Sequence, residues 1–194
     1  LHHVEDLSAA RWLTGTDAGP PRLVTFGPAA FEAYARLRYI PDPDRPGLGE
    51  ADVELPDDHP SDIEQARIVL RALAGPAASA VPCWYCVWVG YSGSFLDPEL
   101  TRGPLVVLPH REYVLFAGHV GDIERWEAVF GGGDPCPPPA FVWPADHQWC
   151  FTSDVDPHWA GIGASAAAIA SLTTRTDVDV VSASPDRPPP AYTG

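Results

Sequence analysis

Residues 83–91 read CWYCVWVGY, nine positions with no charged side chain and no alternation of apolar with polar. A strand with one face in water alternates; a strand that does not is covered on both faces. The chain therefore has to supply apolar cover for both sides of this strand. Its 194 residues, 45% of them hydrophobic and 20% charged, suit one domain with a sizeable core.

The segments around that run predict the cover. LSAARWLT (7–14) has helix-forming composition, and RLVTF (22–26) reads as a short strand. Gly27-Pro28 is expected to open a helix, PAAFEAYARL, with Phe31 and Leu37 on its inner stripe. Ser61 and Glu64 form a capping box that opens a helix to about Ala74, with Ile63, Ala66, Leu70 and Leu73 inward. PLVVLPHREYVLFAG (104–118) reads as a hairpin turning at 108–111. GDIERWEAVF is a helix capped by Asp122, and GGGDPCPPPAF (131–141) is a loop. Strands near 148–155 and 159–162, a helix at 165–172 and a strand at 177–181 follow. The expectation is an α+β fold: a single domain over 1–183, a mostly antiparallel sheet of about five to seven strands covered by helices. The Pro-rich tail, 184–194, is expected to be extended.

The formal net charge is −14, from 26 acidic residues against 12 basic ones, and every basic residue is arginine. Nucleic-acid binding rests on a basic footprint that displaces counterions. No nucleic acid and no membrane is expected as a partner; a protein partner, and a basic one, suits the charge. Without lysine, P-loop, kinase-type and Schiff-base chemistries are excluded. No apolar run approaches a membrane span of about 18 residues, and no basic-then-apolar leader opens the sequence. With only four cysteines, this predicts a cytoplasmic protein with reduced thiols.

The segment 41–60, PDPDRPGLGEADVELPDDHP, holds seven acids, one arginine and five prolines, with no hydrophobic period. Long irregular segments inside a compact domain are uncommon and tend to be functional or disordered. With only twelve arginines and no lysine in the chain, the seven acids cannot all find partners, so part of the charge is expected to face outward; the alternative is a structural lid pinned by Arg36, Arg38 and Arg45 as local counterions. Asp52, Glu54, Asp57 and Asp58 are the binding residues expected there. Trp143, Asp146 and His147 of FVWPADHQW form a second expected binding group, because Pro144, Asp146 and His147 mark a loop and an exposed tryptophan can anchor a partner.

Four patterns carry possible chemistry. Asp154, Asp156 and His158 alternate as D-x-D-x-H; with His147, Asp146 or His110 they could hold a metal or serve a small hydrolase. Asp156-Pro157-His158-Trp159 also fits a type I turn, with Asp156 bonding the turn backbone and His158 exposed; that reading predicts no metal and no cofactor. Cys83-x-x-Cys86 lies in a strand, where residues three apart point to opposite faces, unlike zinc or redox pairs. Gly90 to Ser94 is one residue from a nucleophile elbow but does not feed a helix. Gly161-x-Gly163 with Ser165 joins a strand to a helix, a junction that could take an anion or small molecule.

FVWPADHQWCFTSDVDPHWAGIG, together with HPSDIEQAR, CWYCVWVGY and LPHREYVLFAG, resembles a family of actinobacterial proteins to which no activity is assigned. The resemblance covers most of the chain and implies no cofactor and no catalytic residue. The acidic α+β build is faintly similar to the SMI1/KNR4-like group of cytoplasmic immunity proteins, an analogy of fold alone. The function expected from these readings is a non-catalytic cytoplasmic protein-binding module, immunity-like or regulatory. The alternatives are the hydrolase on Asp154, Asp156 and His158 and the sensor at Gly161–Ser165.

Overall fold

The computed structural model describes residues 1–16, 19–91, 95–131 and 136–193. The serine of the near-elbow (Ser92) and two of the three glycines at 131–133 lie outside the described residues.

Among the described residues nine strands form one antiparallel sheet: β1 (His2–His3), β2 (Ala33–Arg38), β3 (Pro82–Trp88), β4 (Val106–Leu108), β5 (Arg111–His119), β6 (Phe141–Pro144), β7 (Cys150–Thr152), β8 (Trp159–Ala164) and β9 (Val180–Ala183). Their spatial order is β1-β5-β3-β6-β7-β8-β2-β9, with β4 folded onto β5. The α+β class is as expected, and the strand count exceeds the expected five to seven. The excess comes partly from short segments such as β1, which no period can mark. The α-helices among the described residues are α1 (Arg11–Thr14), α2 (Pro20–Phe26), α3 (Asp62–Ala74), α4 (Trp126–Phe130) and α5 (Ala166–Thr173).

Both faces of β3 are covered. Cys83, Tyr85 and Val87 pack into a core with Val69 and Leu70 of α3, Trp126 of α4 and Ile169 of α5. Cys86 packs on the opposite face with Leu13 of α1, Leu23 of α2 and the β4–β5 hairpin, and Trp84 and Trp88 lean on that second core. Each buried aliphatic side chain contributes roughly 1.5–3 kcal/mol relative to exposure, and β3 contributes buried side chains to both cores.

Two neighbouring segments exchange the structures expected of them. Residues 22–26 are helical, and the segment expected as a helix contains β2. Pro20 and Pro21 start α2, because proline at the first helical positions has its fixed φ already suited and no N–H to waste. Gly27 ends it at φ 75°, a conformation favouring glycine, with its N–H on the Leu23 carbonyl. The helix signal therefore precedes 22–26 and the glycine closes a helix instead of opening one. β2 lies between β8 and β9, and its side chains follow period two: Ala35 and Leu37 enter the first core while Tyr34 packs with Phe26 and Trp159 on the other face. Pairing on both edges overrides the helix propensity of Ala, Glu and Leu.

The helix α3 begins as expected. The Glu64 carboxylate accepts from the Ser61 N–H and from the Ser61 hydroxyl, both at 2.8 Å. Ile63, Ala66 and Leu70 are buried and Leu73 is half-buried. Glu64→Ala removes the acceptor and is expected to lower the unfolding free energy by about 0.5–2 kcal/mol, read as a shifted urea midpoint at unchanged slope. An unchanged midpoint would mean the box does not support the helix start. The 108–111 turn is also as expected, with Leu108 paired to Arg111 and His110 at φ 65°. Asp122 caps from inside its helical turn, accepting from the His119 N–H at 2.9 Å, instead of standing ahead of it.

Candidate functional site

A cluster of charged side chains is built on β2 and the first residues of the acidic segment. Arg36 and Arg38 alternate along β2, and both reach Asp42 just beyond its end. Arg36 donates to both Asp42 oxygens, at 2.7 and 2.9 Å, and Arg38 to one at 3.1 Å. His158, at the mouth of β8, donates from Nε2 to Asp42 Oδ1 at 3.1 Å. Arg38 also reaches Asp179 beside β9 at 2.8 Å. The Arg36 guanidinium lies 5.4 Å over the Trp159 ring. Burial opposes ionisation of Asp42, but the bonds from Arg36 and His158 and the charge of Arg36 outweigh it and hold the carboxyl well below the usual carboxylate range.

This places His158 differently from the turn reading. It is buried, with 3% of its side chain exposed, and the chain bends through 155–158 without the turn backbone bond expected of Asp156. Asp154 and Asp156 instead converge on Arg111 of β5. Arg111 donates to Asp154 at 3.1 and 3.4 Å and to Asp156 at 3.0 Å, and stacks 5.2 Å over Trp88. The D-x-D-x-H residues are thus split between two clusters, and the set proposed for a hydrolase does not converge. No group of three or more His, Cys, Asp or Glu with metal-binding geometry occurs among the described residues.

The acidic segment is tied down at both ends. Asp42 fixes its start. Near its end, His59 donates to the Tyr39 carbonyl at 2.6 Å, and buried Gln65 of α3 donates to the same carbonyl at 3.1 Å and to that of Pro60 at 2.9 Å. Tyr39, buried, shares a hydrogen bond with Ser153 at 3.0 Å. Between these anchors Asp52 is used locally, accepting from the Gly49 N–H at 2.9 Å. Glu54, Asp57 and Asp58 are exposed, and none of them joins an ion pair found among the described residues.

Compared with protein-family models, with curated proteins and with solved structures, the chain finds no match in any of the three.

The second expected binding group is corrected. Trp143 is fully buried in β6, facing the second core. Pro144 does not end the strand before it but closes it, paired with Cys83. Asp146 and His147 are exposed on the β6–β7 connection. Asp146 accepts from the Gln148 N–H at 3.1 Å, and His147, at φ 56°, stacks on Trp12 at 4.3 Å. They are held on the side of the second core, whereas the acidic segment is tied to α3 and the first, so the two groups do not form one surface.

Cys83 and Cys86 enter opposite cores, as the strand reading requires, and burial pushes the Cys83 thiol up to about 12. At the β8–α5 junction two backbone N–H groups already have acceptors within the chain: Ala166 donates to Glu32 at 3.0 Å and Ala168 to Ser165 Oγ at 3.2 Å. That occupancy weakens the anion reading of Gly161–Ser165. The glycines serve close approach instead: a Cβ on Gly161 would lie 1.8 Å from the Thr25 carbonyl oxygen, and one on Gly163 2.3 Å from the Phe31 ring.

Sequence reasoning missed the pairing of His158 with Asp42, across 116 positions. It also missed the C-terminal segment as a structural part. Tyr192 donates to the Pro41 carbonyl, the Thr193 N–H donates to the Leu48 carbonyl at 3.0 Å, and Asp186 accepts from Arg22 at 3.1 Å. The tail returns to the body at the acidic segment and at α2. Among the described residues no helix is long and apolar enough to cross a membrane.

Proposed function

We propose that the chain is a non-catalytic binding module that presents the acidic segment, chiefly Glu54, Asp57 and Asp58, to a basic protein partner. The observation that carries this reading is the contrast within the segment. Asp42, His59 and the neighbouring Gln65 hold its ends through buried or half-buried hydrogen bonds, while Glu54, Asp57 and Asp58 between them are exposed and join no ion pair found among the described residues. A segment ordered before binding loses less conformational entropy on association. Exposed carboxylates of one sign speed the encounter with a basic surface and make it salt-sensitive. The reading includes immunity-like and regulatory roles, in which a partner's basic surface is covered, and it needs no cofactor.

A partner captured from lysate should be measured against wild type and against a variant carrying Glu54→Gln, Asp57→Ser and Asp58→Ser. The expected outcome is an association rate about tenfold or more lower for the variant at low salt, with a weaker salt dependence. Equal rates for the two proteins at both salts would remove the segment from the interface and with it this reading.

A further inference from the structure

A cavity of about 540 Å³ opens between α2, the 156–159 bend and the C-terminal segment 185–192. That is the size of pockets that enclose small organic ligands. Phe26, Trp159 and Tyr192 supply aromatic wall, and Pro157, Pro189 and Pro190 supply rigid apolar wall. Arg22 lines it too, with 26% of its side chain exposed and no carboxylate partner among the described residues besides Asp186. A guanidinium presents terminal N–H donors that take a carboxylate through charge-assisted hydrogen bonds.

We infer that this cavity binds a small planar monocarboxylate, an aromatic or heteroaromatic acid of one or two rings, with its carboxylate on Arg22. The chain already shows the chemistry the position accepts: the Asp186 carboxylate, on a side chain 82% exposed, meets Arg22 Nη1 at 3.1 Å. Asp186 is an internal stand-in that a better-fitting acid displaces. A cationic ligand is disfavoured by what already lies on the rings. The Arg36 guanidinium is already over Trp159 at 5.4 Å, and two of the three lining acids are paired, Asp156 with Arg111 and Asp186 with Arg22. The flat walls of Phe26, Trp159 and Tyr192 select a planar body for the ligand. The tail segment forming one wall is fastened at Asp186, Tyr192 and Thr193, so entry requires only a few bonds to open. This site is separate from the exposed carboxylates of the acidic segment and stands whether or not those bind a partner.

Calorimetric titration of the full chain with naphthoate, its neutral amide and the corresponding naphthylmethylamine tests the assignment. Naphthoate is expected to bind, the amide to bind about tenfold more weakly or worse, and the amine not to bind. Asp186→Ala, at an exposed position, frees Arg22 of its internal partner and is expected to tighten naphthoate binding, whereas Arg22→Gln is expected to weaken it about tenfold or more. No heat with millimolar naphthoate, equal affinity for acid and amide, or an Asp186→Ala variant no tighter than wild type would each overturn the proposal. Should Arg22→Gln fail to fold, the three-ligand comparison and Asp186→Ala still decide.

Discussion

Asp42→Ala should lower the unfolding free energy by about 3–5 kcal/mol, because it strips a buried guanidinium of its counter-ion. Arg36 has 8% of its side chain exposed and gives both of its bonds to carboxylate to Asp42; Arg38 keeps Asp179. Without Asp42, Arg36 faces only the Trp159 ring, and His158 loses its acceptor. The same cluster fixes a pH dependence. The folded-state pKa of Asp42 lies below its unfolded value of about 3.9, so its stabilisation is complete above that value and is lost as pH falls through it toward the folded pKa. Urea denaturation between neutral pH and pH about 3 should show wild type losing stability at the acid end more steeply than Asp42→Ala. A variant within about 1 kcal/mol of wild type at neutral pH would mean the cluster does not hold the segment.

Gly161→Ala should cost about 3 kcal/mol or more, at the upper end of overpacking. The added Cβ would lie 1.8 Å from the Thr25 carbonyl oxygen and 2.7 Å from Thr152 Oγ1. The first of these is backbone in the last turn of α2 and cannot swing aside as a side chain can. Relief requires α2 to move off β8, breaking the bond of 2.5 Å from the Thr152 hydroxyl to that same carbonyl. Thermal unfolding of the variant measures the cost directly. A melting temperature equal to that of wild type would show that α2 does not sit this close to the sheet.

What was legible in the sequence was local or one-dimensional. The start of α3 is written in Ser61 and Glu64, two side chains three positions apart, and the double cover of β3 in an apolar run that never alternates. What was not legible depends on partners far along the chain. Residues 28–37 carry helix-forming side chains, and β2 exists because β8 and β9 pair with both of its edges. Pro144 resembles a loop marker, yet it sits in a strand because Cys83 is opposite it, and this buries Trp143. Asp156-Pro157-His158 reads as a turn until Asp42 is placed beside the imidazole. Arg36 and Arg38, six and four positions before Asp42, were legible as local counterions of the segment, but their convergence on Asp42 was not.

The position of β2 also governs the order in which the molecule can assemble. Ala33 pairs with Ala164 and Tyr34 with Ala183, so one half of the sheet is stitched from opposite ends of the chain. The other half is local by comparison, with β4 and β5 joined by a tight hairpin and β3 paired to β5 and β6. Closing a long loop costs entropy before any pairing repays it. During refolding, β2 must therefore wait as an unpaired strand while β3 to β6 condense, its helix-forming residues free to take the transient structure their propensity favours. In pulse-labelled hydrogen exchange, amides of β3 and β5 should gain protection ahead of those of β2 and β8, and the half-sheet that carries Arg36 and Arg38 should lock last.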